Sequence, residues 1–199
     1  MRKDGGRRGR PRDGSRDAAI RAAVLELLAE TGYTALTVDA VAVRARAGKA
    51  TIYRRWPGKA ELVVSAVAEL DTHRPAVPDT GRLRDDLVGY LSALAEALRG
   101  PLGAVTTAVV GAFADNPELA AALRGGLWGR VDGAIAAILR RAVTGGEVPA
   151  DAPLDLVREL AGAALVNRLV LTGEPIHDDF VRALVDQAML PLLHGQPKR

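Results

Sequence analysis

The sequence predicts an all-α chain: an N-terminal three-helix domain built around a helix-turn-helix, followed by a larger helical domain. Three observations carry this. Apolar residues recur three and four apart from about residue 15 onward, and no stretch alternates with the period of two that a half-buried strand requires. Two short amphipathic segments meet across a tight turn between Thr37 and Lys59. Charge is divided along the chain: residues 1–59 hold 14 Lys/Arg against 6 Asp/Glu, a net of +8, whereas residues 60–199 hold 13 against 18, a net of −5. A basic first third on an acidic remainder suits a polyanion binder with a separate second domain.

Residues 1–16 are poor in apolar side chains and rich in Gly and Arg, which predicts a disordered basic arm. Within it, Arg8-Gly9-Arg10-Pro11 resembles the core of an AT-hook, an extended Arg-Gly-Arg that enters the narrow minor groove of A·T-rich DNA. The alternative is a solubilising tail that touches phosphates without direction. A first helix, from about Ser15 to Thr31, places Ile20, Val24, Leu27, Leu28 and Thr31 on one face and stops at Gly32. The helix-turn-helix follows. Val38, Val41, Ala42 and Ala45 form the stripe of its first helix, with Thr37 as N-cap. Arg46-Ala47-Gly48 makes the turn. The second helix, Lys49 to Trp56, buries Ile52 and Trp56 and leaves Lys49, Ala50, Thr51, Tyr53, Arg54 and Arg55 on other faces. Pro57-Gly58 ends it. Such a helix suits the DNA major groove, where phosphates take Lys, Arg, Tyr and Thr and base edges take Arg and Lys. A solvated basic helix in an ordinary helical domain would have the same spacing.

Leu62, Val63, Ala66, Val67 and Leu70 mark a fourth helix reaching about Thr72, which completes a domain over residues 17–72. Residues 73–81, with Pro75 and Pro78, are the expected break. The second domain, 73–199, begins with a long apolar face (Leu83, Leu87, Tyr90, Leu91, Leu94, Leu98) ended by Gly100-Pro101. A shorter helix from about Gly103 to Ala114 carries Val105, Val109 and Phe113. Asn116-Pro117-Glu118 reads as N-cap, N1 proline and first-turn acid. The helix it opens runs to Gly145-Gly146, with a kink expected at Gly125-Gly126. Two last helices, about Leu154 to Thr172 and His177 to His194, are apolar on more than one face, Leu184 and Val185 included. A second copy of the chain would cover that surplus.

Thr37-Val38, Val41-Ala42, the run from Lys49 to Pro57, and Lys59 resemble the DNA-binding segment of TetR-family transcriptional regulators, without gaps from about Ser15 to Leu62. One departure is local: Arg46 stands where the family usually has Gly, and Gly48 where it often has a hydroxyl. If the turn needs φ > 0 at residue 46, Arg is strained where Gly would not be. The resemblance implies double-stranded operator DNA as partner, a homodimer formed through residues 154–194, and a small apolar ligand in the second domain. The expected DNA-binding residues are Arg8, Arg10, Thr37, Arg44, Arg46, Lys49, Ala50, Thr51, Tyr53, Arg54, Arg55 and Lys59, with Lys59 on a phosphate. Tyr90, Leu94, Val109, Phe113 and Trp128 are the candidate pocket wall, with plain core packing the alternative for any one of them, and Asn167-Arg168 serves the dimer seam or, as the second reading, a ligand.

Other chemistry finds little support. There is no Cys, so no disulfide or thiolate metal site, in keeping with a cytoplasmic protein. No run of about 18 apolar residues predicts a membrane span. Ser15, Ser65 and Ser92 lack a nucleophile setting, and His73, His177 and His194 lack metal-ligand spacing. No cofactor and no catalytic residue is expected. The reading is a homodimeric, ligand-responsive repressor on a palindromic operator. A non-specific architectural DNA binder is the alternative, and an enzyme on a borrowed fold a third.

Deleting residues 2–12 removes six cations from the arm. Binding should weaken on every duplex alike, and the slope of log K against log salt should become shallower by about 0.9 per lost phosphate contact. An unchanged slope in titrations across salt concentrations would mean that the arm does not touch DNA.

Overall fold

In a computed structural model of the chain, residues 14–70, 75–124 and 129–195 are described, and their regular structure is entirely helical. Helix α1 (Gly14–Ala35) buries Ile20, Ala23, Val24, Leu27 and Leu28, and its backbone breaks at Gly32 (φ 76°) as the sequence predicts. Helix α2 (Val38–Arg44) is capped by Thr37, whose hydroxyl accepts the Ala40 amide hydrogen at 3.1 Å. Helix α3 (Lys49–Tyr53) and helix α4 (Lys59–Leu70) complete the N-terminal unit. The expected end of α4 near Thr72 lies outside the described residues.

Next come α5 (Leu83–Arg99), α6 (Pro101–Val110), α7 (Pro117–Leu123), α8 (Gly129–Thr144) and α9 (Leu154–Val166). Helix α6 starts at Pro101, where proline is favoured in a first turn, and ends at Val110, both earlier than the sequence predicts. Asn116 does not cap α7 with its side chain. Its amide donates backward to the Ala112 carbonyl at 2.9 Å, and the preceding turn is what it fixes. The kink expected at Gly125-Gly126 falls outside the described residues.

The last two helices are less regular than their spacing predicts. Helix α9 continues as a widened π-helical turn, Asn167–Thr172, and stops at left-handed Gly173. Helix α10 (Asp178–Ala183) passes through a second widened segment, Leu184–Met189, into α11 (Leu190–His194). Pro191 explains the second case: it has no N–H to donate and its ring crowds the carbonyl four residues back, which a locally widened ladder relieves.

Two apolar cores hold these elements. The second joins α5, α8, α9 and α10–α11 around Leu87, Tyr90, Leu91, Ile135, Ile138, Ala161, Val181, Val185 and Met189. The first contains α1 to α4 and also Val105 and Val109 of α6, Ala112, and Leu119 and Leu123 of α7. Residues 75–82, between α4 and α5, are not helical, yet packing runs across them: α6 lies on α1 and α7 on α4. The linker is pinned as well. Thr80 donates from its amide and hydroxyl to Asp86 Oδ1 at 2.9 and 2.7 Å, and Arg141 donates to the Pro78 carbonyl. Burial pushes the Asp86 carboxyl upward and is the largest single influence. The two Thr80 bonds and the Arg141 charge together outweigh it and hold the group below the usual carboxylate range.

Helix α6 can leave α5 so abruptly because Gly103 has no side chain. A Cβ there would overlap the Leu98 carbonyl and sit 3.4 Å from the Leu169 side chain. Gly103→Ala should destabilise by about 1–3 kcal/mol through overpacking. Gly133→Ala on the open face of α8, where nothing lies within 4 Å, should instead gain about 0.5–1 kcal/mol. Urea unfolding of both variants checks the pair of signs.

Candidate nucleic-acid interface

Helix α3 is only five residues long, and its orientation is set from below by Ile52 (0% exposed) and Trp56 (9%). These are the two anchors that the sequence predicts. Lys49, Ala50, Tyr53 and Arg54 are exposed, and Thr51 is half-buried. Thr37 is exposed at the start of α2, and its oxygen already accepts the Ala40 amide hydrogen.

The turn between α2 and α3 is a Schellman motif. The Arg46 amide donates to the Val43 carbonyl at 3.2 Å and the Ala47 amide to the Ala42 carbonyl at 2.9 Å. Arg46 takes the left-handed position with φ 49°, alone among the described non-glycine residues. The end of α8 uses the same two bonds, Gly146 to Val143 and Glu147 to Ala142, and there the left-handed residue is glycine (φ 77°). Holding a side chain in this region costs about 1–2 kcal/mol.

The cations divide into two groups, those held by internal partners and those that are not. Arg44 is a brace: it grips Glu30 of α1 with two bonds at 2.9 and 2.8 Å and Glu26 at 3.1 Å. The hydrogen bond from Arg44 holds Glu30 below the ordinary carboxylate range. Arg55 is ion-paired with Asp17 of α1, both side chains being largely buried, so it fastens the end of α3 to the domain. Lys59 lies over the Tyr33 ring, 4.3 Å from its centroid, and donates to the Thr34 carbonyl at 3.3 Å. Burial lowers its pKa. Lys49 is paired with Asp39 at 2.6 Å. Arg46 and Arg54 are exposed and have no ion-pair partner among the described residues. Arg46 and Arg54 are therefore the two cations of this segment that no internal partner holds among the described residues. The partners that sequence reasoning missed, Asp17, Glu26 and Glu30, lie 14 to 38 residues away along the chain, beyond any local pattern. Arg8 and Arg10 lie outside the described residues.

The expected pocket wall draws on both cores. Tyr90 and Leu94 belong to the second core, whereas Val109 and Phe113 pack in the first, because α6 turns its apolar face to α1. Trp128 is outside the described residues. One cleft of about 270 Å³ has Asp79, Arg82, Asp86, Arg141 and Glu147 in its wall, more polar than the predicted site. Arg168 is held within its own chain. It stacks on Phe180 (3.9 Å), pairs with Glu174 at 3.1 Å and donates to the Pro175 carbonyl at 2.9 Å, which fixes the turn after α9. Among the described residues there is no metal-ligating cluster and no helix long and apolar enough to cross a membrane.

Residues 20–66 match the family model described as bacterial regulatory proteins, tetR family, and residues 77–188 match the tetracyclin repressor-like C-terminal domain. An uncharacterized HTH-type transcriptional regulator of Mycobacterium tuberculosis is 39% identical over 188 residues, covering 92% of this chain and 93% of its own. The DNA-binding transcriptional repressor TetR of Mycobacteroides abscessus is 36% identical over 183 residues, with 90% and 94% covered. Among solved structures, the transcription regulator SCO0332 superposes with a TM-score of 0.67 at 32% identity, over 88% of this chain and 97% of that one.

Two substitutions separate bracing from contact. Arg46→Gly should raise stability by about 1 kcal/mol by relieving the left-handed strain. It should also weaken binding to any duplex and lower the salt slope by about 0.9. Arg55→Ala should cost about 1–3 kcal/mol, because it leaves the Asp17 carboxylate without its partner. Thermal melts alongside duplex titrations read both effects, and a destabilised Arg46→Gly would contradict the strain argument.

Proposed function

The chain belongs to the tetR family of bacterial regulatory proteins and is a DNA-binding transcriptional regulator; from this we propose that it is a ligand-responsive repressor acting as a homodimer on a palindromic operator. The observation that carries the reading is the exposed face of α3, presented by two buried anchors on a braced three-helix support. Lys49 opens this helix and Tyr53 lies one turn along the same face, so these two meet base edges. Thr37, Arg46 and Arg54 meet the phosphates that flank them.

The dimer forms through α9 to α11, and its seam is not the one that the apolar count alone suggests. Leu184 and Val185 are buried in the subunit's own core. The surface left for a second copy has Leu156 (53% exposed), Leu171 (77%) and Leu192 (38%), with half-buried Leu160 and Val170 in the α9 stripe. Two copies pack these helices as a four-helix bundle about a two-fold axis, which spaces the two α3 helices by one DNA turn or a multiple of it.

The ligand acts through packing. Helix α6 packs on both α5 and α1, and α7 packs on α4, so a ligand that shifts them moves the reading unit. It needs to favour the non-binding arrangement by only a few kcal/mol.

Selection from random duplexes followed by footprinting should recover a palindrome whose half-sites are about one helical turn apart. If only salt-dependent binding to all sequences appears, the repressor reading fails. Leu156→Asp with Leu171→Asp should give a folded, helical monomer, since a charge in the seam costs several kcal/mol per subunit. Sedimentation and circular dichroism check this, and a dimer of unchanged mass would move the seam elsewhere.

A further inference from the structure

Asp39 is the only acidic residue between Glu30 and Glu61, a stretch that carries six Lys or Arg. It sits in the first turn of α2, yet the cap of that helix is already supplied by Thr37. Its partner is Lys49, the first residue of α3, at 2.6 Å across the turn, and both side chains are more than half exposed. The Arg44 and Arg55 pairs face back into α1; the Asp39–Lys49 pair instead joins the starts of the two helices that approach DNA.

An exposed pair of this kind contributes little to folding, so stability gives no strong reason for it. On random DNA it is a disadvantage, because a carboxylate repels every phosphate and cancels the nearest cation. A surface evolved only to attach to a polyanion would not place its one acid there. The arrangement is useful where a base pair offers partners to both ions side by side. In the major groove a G·C pair presents guanine O6 and N7 as acceptors beside the cytosine N4 amino donor. The ammonium of Lys49 can donate to the first while the Asp39 carboxylate accepts from the second.

We propose that Asp39 is a specificity-determining residue, which together with Lys49 reads one G·C pair in each operator half-site and suppresses attachment to other DNA. The proposal rests on the reading of α3 as the operator-reading helix. At the wrong pair the carboxylate has no donor and remains a repulsive charge. At the right pair that charge is satisfied, and the ion pair becomes a two-point contact. The bland account of Asp39, an acid favoured near the N-terminal end of a helix dipole, predicts a small stability effect and none on sequence preference.

The experiment uses the full chain and duplexes selected by the wild type from a random library. Wild type, Asp39→Asn and Asp39→Ala are titrated against the selected duplex and a scrambled one at one salt concentration, and each variant is also carried through its own selection. Both variants should bind scrambled DNA several-fold more tightly than wild type. Their preference for the selected duplex should fall by about tenfold or more, and the G·C requirement at one position per half-site should disappear. Melting temperatures report whether the fold is kept. If both affinities rise by the same factor, or if the variants select the wild-type sequence, Asp39 is only a local charge and the proposal is overturned. Should the wild type itself enrich no sequence, the operator reading falls first and this proposal falls with it.

Discussion

A helix of five residues cannot hold its own shape in water; isolated helices below about 12–15 residues are marginal even with favourable composition. Everything useful about α3 therefore depends on what grips it. Ile52 and Trp56 lock its inner side into the first core, and both the Arg55 and Trp56 amides donate to the Ile52 carbonyl at 2.9 Å as the chain leaves the helix. At the other end the Schellman turn fixes the entry angle, while Arg44 and Arg55 tie the flanks to α1. With the inner side committed, the outer side chains are left for another molecule.

The parts that were legible in the sequence are those with a local cause. The Thr37 cap, the Gly32 stop, the Ile52 and Trp56 anchors and the Gly100-Pro101 corner all follow from a few adjacent residues, and each is present. Left-handed geometry at residue 46 follows from the turn in the same way, although the residue there does not favour it. What was not legible depends on distant partners or on which side of a helix meets which neighbour. Arg44, Arg55 and Lys59 look alike in sequence to Arg54, and only tertiary placement makes three of them braces. Val109 and Tyr90 both read as apolar helix residues, yet α6 carries the first into one core while α5 keeps the second in the other. Asn116 had two hydrogen-bonding choices at a helix start, and the preceding turn decided between them.

The linker shows a similar division of labour. Two prolines mark it as a break, and they do interrupt the helices. Its path is nonetheless fixed, because Thr80, Asp86 and Arg141 form a polar staple joining it to α5 and α8. A buried carboxylate without those donors would be strongly unfavourable, so the staple and the burial of Asp86 depend on each other.

The shared first core also bears on how the protein is made. Chains emerge from the ribosome N-terminus first, and domains generally fold as units when their residues are available. Helices α1 to α4 are complete by Leu70, yet the apolar face of α1 is covered by Val105 and Val109, and α4 meets α7, which ends at Leu123. For roughly the time taken to add those further residues, the nascent reading unit has an uncovered apolar flank. Its maturation waits on translation of the next quarter of the chain, and a chain truncated before Leu123 would lack part of the packing that steadies the DNA-facing surface.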